Sequence, residues 1–253
     1  MIIITLTIAA LTLLLGLKIG SKSNNEQKII EQASADTTTV AKRVLNLIIL
    51  DESGSMSGLE KTSVDGVNET IQTIKSSYEQ LPEQEQLLTF VTFSSIGDSF
   101  CRTKVKLTPI SQVDDFKVSE YKPNGGTPLY DTMGLTLTEL EKEATESDLV
   151  LVTIITDGYE NTSRKYNAEG VKALVERLDK KDWVFTYIGA NQDAILEAGR
   201  MGIRNAMNYS SDEAGTREMW NKEKRSRELF LRNARTGYSA KRLKDGYFKE
   251  EER

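Results

Sequence analysis

Three short stretches carry the side chains that could do chemistry. Asp51-Glu52-Ser53-Gly54-Ser55-Met56-Ser57 follows an apolar run, Asn124-Gly125-Gly126-Thr127-Pro128-Leu129-Tyr130-Asp131 opens a helical pattern, and Thr156-Asp157-Gly158 closes another apolar run. From them Asp51, Ser53, Ser55, Thr127 and Asp157 offer two carboxylates and three hydroxyls. Such a set suits a hard divalent cation, since Mg2+ takes six oxygens in a near-octahedral shell and usually keeps some waters. Composition removes the rivals. The chain has no histidine and one cysteine, Cys101. A Ser-His-Asp or Cys-His device cannot be built from it alone, nor can a Cys/His zinc site. Any metal site must use oxygen ligands, which selects Mg2+, Mn2+ or Ca2+.

Each stretch also has a plain structural reading. Residues 51–57 fit a strand-to-helix turn with capping serines. Gly125 and Gly126 fit turn geometry, with Thr127 as a helix N-cap ahead of Pro128. Asp157-Gly158 fits an ordinary turn. The argument for a shared site therefore rests on where the elements place them.

Those elements can be read along the chain. Residues 44–50 are nearly all apolar, as a strand buried on both faces should be. Val64, Val67, Ile71 and Ile74 recur at helical spacing, which predicts an amphipathic helix over 59–80. Strands are expected at 87–93, 149–156, 183–188 and 206–209, with 101–107 as an alternating edge strand. Helices are expected at 128–144, 168–178, 194–201 and 213–233. This alternation argues for a mostly parallel sheet covered on both faces. Ligands in such sheets bind at the carboxyl ends of strands, near the point where strand order reverses. All three stretches are expected at that rim.

Together they resemble the metal-ion-dependent adhesion site of the von Willebrand factor A family. Its pattern is Asp-x-Ser-x-Ser, a distant Thr and a distant Asp, matched here by Asp51, Ser53, Ser55, Thr127 and Asp157. The surrounding words match too: an apolar run before Asp51, Gly-Gly-Thr-Pro before a helix, and Thr-Asp-Gly after a strand. The likeness covers roughly 43–210. It implies a Rossmann-like three-layer α/β/α sandwich with a mostly parallel central sheet. It also implies Mg2+, with Mn2+ or Ca2+ as alternatives, bound directly by Ser53, Ser55 and Thr127 and through water by one or both aspartates. A metal whose direct ligands are mainly neutral stays strongly positive. The implied function is adhesion to a protein partner that offers an Asp or Glu carboxylate, with no catalysis. Resembling members also act as subunits of chelatase or AAA-type machines.

An enzyme reading is weaker. A phosphohydrolase with Asp51 as nucleophile wants a second carboxylate two residues on, where Ser53 stands. A Gly-x-Ser-x-Gly elbow fails because Met56 lies midway between Gly54 and Gly58. No phosphate-cradling glycine motif follows a strand.

Outside the core region, residues 1–19 are apolar up to Lys18 and are expected to anchor the chain in a membrane by a single pass. Lys18, Lys22 and Lys28 on their C-terminal side put the main domain in the cytoplasm by the positive-inside tendency. Residues 20–42 read as a polar stalk and 211–253 as a basic helical segment, solvated or packed as an amphipathic helix. No nucleic-acid partner is expected, because no basic motif interleaved with aromatics occurs. Glu52 is expected to point away from the metal, Asp131 to complement the start of its helix, Asp193 to cap a helix, and Cys101 to be a packed thiol. The net charge of -5 discriminates little.

Overall fold

The computed structural model describes residues 42–97, 99–190, 194–236, 244 and 246–248. Along them run β1 Arg43–Asp51, α1 Glu60–Gln80, β2 Glu85–Phe93, β3 Cys101–Pro109, α2 Leu129–Glu143, β4 Leu149–Thr156, α3 Ala168–Asp179, β5 Trp183–Ala190, α4 Ala194–Arg200, β6 Asn205–Tyr209 and α5 Glu213–Arg235. The strands form one sheet in the order β3-β2-β1-β4-β5-β6. All neighbours are parallel except β3, which runs antiparallel to β2 at the edge. The fold is the expected three-layer α/β/α sandwich.

Strands β1, β4 and β5 are buried on both faces, which is why their sequences are mostly apolar rather than alternating, with Asn46, Thr153 and Thr186 as buried polar exceptions. On one face Ile48, Leu50 and Ile188 pack with Ile71 of α1 and Phe230 of α5. On the other Leu47, Ile49 and Val152 pack with Met133 of α2 and Val175 of α3. Helices α1 and α5 approach closely because α1 has a glycine at the crossing. A Cβ on Gly66 would fall 2.1 Å from the Trp220 ring.

Helix α5 is amphipathic and packs on α1, yet one of its basic residues is not at the surface. Arg227 is fully buried beside Glu223. Its Nε donates to Glu223 Oε1 at 2.8 Å, Nη1 to Asn46 Oδ1 of β1 at 3.1 Å, and Nη2 to Thr153 Oγ1 of β4 at 2.8 Å. The Tyr247 hydroxyl also donates to Glu223, at 3.1 Å. A guanidinium survives in a core only when its charge and its donors are met; Glu223 meets the charge, and Asn46 and Thr153 share the donors.

The expectation of a single-pass, membrane-anchored protein is corrected. No helix among the described residues is long and apolar enough to cross a membrane. The apolar segment 1–19 lies outside the described residues.

Strand order reverses at the centre of the sheet. From β1 the chain moves outward to β2 and β3, then returns to β4 on the other side of β1. The carboxyl ends of β1 and β4 lie side by side there, with Leu50 opposite Ile155. Connections leaving to opposite faces open a crevice at such a point.

Candidate metal centre

Asp51 is the last residue of β1 and is fully buried. Its Oδ1 accepts the Ser53 amide at 2.7 Å and its Oδ2 accepts the Thr156 hydroxyl at 2.6 Å. Its carbonyl accepts the Tyr121 hydroxyl. Burial pushes the Asp51 carboxyl up to about 7 against the hydrogen bonds from Thr156 and Ser53, and the charge of Asp157 adds to the rise.

After Ser53 the chain makes a single 3-10 turn, Gly54–Met56, with Met56 buried beneath it. The turn brings Ser53 Oγ to 3.1 Å from Ser55 Oγ. Ser53 is buried and Ser55 exposed, so the pair leads from the floor of the crevice to its mouth. The Gly54 amide donates to the Gly125 carbonyl at 2.9 Å, which ties the first loop to the second.

Gly125 adopts φ +76°, a conformation that favours glycine. A Cβ on Gly126 would fall 2.7 Å from Asn161 Oδ1 and from Thr162 Cγ2. The Gly-Gly pair thus lets the second loop press against the third. Thr127 is buried, its amide donating to Asn161 Oδ1 at 2.8 Å. It is not the helix cap: Pro128 holds that position and α2 starts at Leu129. The first amides of α2 are met instead by the third loop, Tyr130 N by Glu160 Oε2 at 2.9 Å and Asp131 N by Ser163 Oγ at 3.0 Å.

Asp157 follows β4. Its Oδ1 accepts the Ser55 hydroxyl at 2.5 Å and its Oδ2 the Ser211 hydroxyl at 3.0 Å. The next residue shows how close the three loops come. A methyl group on Gly158 would lie 3.2 Å from Thr127 Oγ1, 3.4 Å from Ser55 Oγ and 4.0 Å from Asp51 Oδ2. Asp51, Ser53, Ser55, Thr127 and Asp157 therefore meet at one end of the sheet.

The other singled-out residues brace this arrangement or lie elsewhere. Glu52 turns toward β3: its Oε2 accepts Arg102 Nη2 at 2.8 Å and its Oε1 the Lys122 amide at 2.6 Å. Burial opposes ionisation, but these donors hold the carboxyl below its ordinary range. Asp131 serves the third loop rather than its own helix. Its carboxylate accepts the amides of Arg164, Lys165 and Tyr166 at 2.8, 2.7 and 2.7 Å. Cys101 is half-buried at the start of β3, and burial, with the charge of Glu139, pushes its thiol up to about 11. Asp193 lies outside the described residues.

Thr156, Asn161 and Ser211 join the site without having been singled out. Thr156 stands inside the Thr-Asp-Gly word, so its position was readable if not its role. Asn161 and Ser211 carry no local signal, because each acts through a hydrogen bond across at least 34 residues of sequence.

The donor set fits a hard divalent ion. Every candidate ligand atom is a carboxylate or hydroxyl oxygen, and two buried carboxylates at one rim favour a cation between them. Among the described residues no group of three or more His, Cys, Asp or Glu side chains offers a competing metal site.

No protein-family model matches the chain, and neither does any curated protein. Solved structures do. The chain is similar to the pilus adhesin SpaC from Lactobacillus rhamnosus GG at 12% identity over 76% of this chain and 31% of that one, with a TM-score of 0.56. It is similar to the SpRpn10 VWA domain at 13% identity over 70% and 94% of the two chains, with a TM-score of 0.48. It is also similar to the manganese-loaded TRAP protein of Plasmodium vivax at 18% identity over 70% and 72%, with a TM-score of 0.48. At such identities the likeness is one of fold.

Proposed function

We propose that this chain, whose fold is that of a von Willebrand factor A domain, holds a Mg2+ ion through Asp51, Ser53, Ser55, Thr127 and Asp157 and binds a protein partner that offers an Asp or Glu carboxylate. The observation that carries this reading is the convergence at Gly158 of oxygens from three loops, with Ser55 exposed above buried Ser53 and Asp51. The cation supplies positive charge at the mouth of the crevice. The chain's residues do the rest. Thr156 and the Ser53 amide fix Asp51. Asn161 fixes the backbone at Thr127. The Gly54–Gly125 bond keeps the serine loop and the threonine loop in register.

A binding role suits this geometry better than a catalytic one. Both oxygens of Asp51 already accept hydrogen bonds and the residue is fully buried, which makes it a poor nucleophile. Mn2+ and Ca2+ accept the same oxygen donors, and Mg2+ is the ion that the resemblance implies.

The test is partner retention by the immobilised chain in MgCl2 and in EDTA, alongside the Ser53→Ala/Ser55→Ala variant. We expect proteins held in MgCl2 to be released by EDTA and not to bind the variant. Equal retention in EDTA overturns the reading.

A further inference from the structure

Asp157 is gripped from two sides, by Ser55 in the first loop and by Ser211 in the junction between β6 and α5. That junction has little freedom. The Asp212 amide donates to the Ser210 carbonyl at 2.9 Å, and Asp212 Oδ1 caps α5 by accepting the Gly215 amide at 2.8 Å. A Cβ on Gly215 would fall 2.4 Å from the Ser210 carbonyl oxygen. Behind the junction, α5 is fastened to β1 and β4 through Arg227. Ser211 is therefore presented to Asp157 from the capped start of α5.

Tyr209, two residues earlier, ends β6 at the same rim. It stands opposite Ala190 of β5, while Gly189 stands opposite Thr156 of β4. Its hydroxyl is buried and has no hydrogen-bond partner among the described residues. Buried hydroxyls ordinarily find an acceptor. Burial, then the charges of Asp157 and Asp51, push the phenol far above its usual value, so the hydroxyl keeps its proton and remains a donor.

We propose that the β6–α5 junction is a working part of the cation site, with Ser211 positioning Asp157 and the Tyr209 hydroxyl donating to a water that enters with the hydrated ion. The inference rests on the cation reading above and extends the site to a segment that the three sequence words do not reach. Groups that orient metal ligands from behind typically change metal affinity about 10–100-fold when removed.

Mn2+ alone, added to the full chain, tests it. Binding is followed by relaxation of solvent water protons, and the melting temperature is measured without metal. Ser211→Ala should weaken Mn2+ binding about tenfold, the low end of that range, and Ser211→Thr should restore most of it. Tyr209→Phe should weaken Mn2+ binding while the metal-free chain melts at the same temperature or higher, because the variant loses only an unsatisfied hydroxyl. Parental Mn2+ affinity in Ser211→Ala and Tyr209→Phe, with binding lost in Ser53→Ala/Ser55→Ala, overturns the role of the junction and leaves the cation site standing. A parent chain that binds no Mn2+ overturns both.

Discussion

Glu223 and Asp51 are both carboxylates with no solvent exposure, and the chain treats them oppositely. Glu223 lies under α5 against Arg227, which reaches Asn46 of β1 and Thr153 of β4. Asp51 ends β1 a few residues further on, held by an amide and a neutral hydroxyl, with Asp157 of like charge beside it after β4. The same two strands thus face a charge pair of α5 at their middle and a pair of acids at their ends. Burial opposes the charge on Arg227, but Glu223 outweighs it and keeps the guanidinium ionised. The interior pair serves packing. The rim acids make sense when charge arrives from solvent.

Breaking the interior pair should have the largest effect. Arg227→Met leaves Glu223 buried without its cation and should cost about 3–5 kcal/mol of stability in urea denaturation. The loss should be the same with and without MgCl2, and Glu223→Gln in the same chain should recover most of it. At the rim the sign should differ. Asp51→Asn should leave the metal-free chain as stable as the parent or more so. The parent should gain about 2.7 kcal/mol at Mg2+ one hundred times its Kd, and Asp51→Asn should gain nothing. Calorimetric melting with and without MgCl2 reads both.

A finer test adds one methyl group. Gly158→Ala puts a carbon 3.2 Å from Thr127 Oγ1 and 3.4 Å from Ser55 Oγ. It should weaken Mg2+ binding about tenfold, roughly 1.4 kcal/mol, as read by titration calorimetry. The smallest effect is expected for a pair that belongs to neither region. Arg217 and Glu213 form a mostly exposed ion pair on α5. Arg217→Ala should change stability by less than about 0.5 kcal/mol and Mg2+ binding not at all. A larger change would mean that net charge, rather than placement, governs both regions.

The contrast also separates what local sequence carries from what it does not. Apolar runs at 44–50 and 149–156 and helical spacing from Val64 to Ile74 locate elements because burial selects side chains with the period of the backbone. The same logic placed Asp51, Thr127 and Asp157 at strand ends and a helix start, so their meeting at one rim followed from topology. Arg227 was hidden because a basic residue on a charged helix looks solvated until its partners on β1 and β4 are known. Thr127 looked like a cap because Thr-Pro before a helix usually is one, whereas α2 draws its cap from Glu160 and Ser163. Ser211 reaches Asp157 over 54 residues of sequence, a contact that no local period encodes.

The central claim is that one divalent ion sits among the three loops, and diffraction from crystals of the full chain grown with MnCl2 tests it most directly. An anomalous peak about 2.1 Å from the hydroxyl oxygens of Ser53, Ser55 and Thr127 is the predicted result. Saturating Mn2+ with no peak there, or with the peak at another set of side chains, would contradict it.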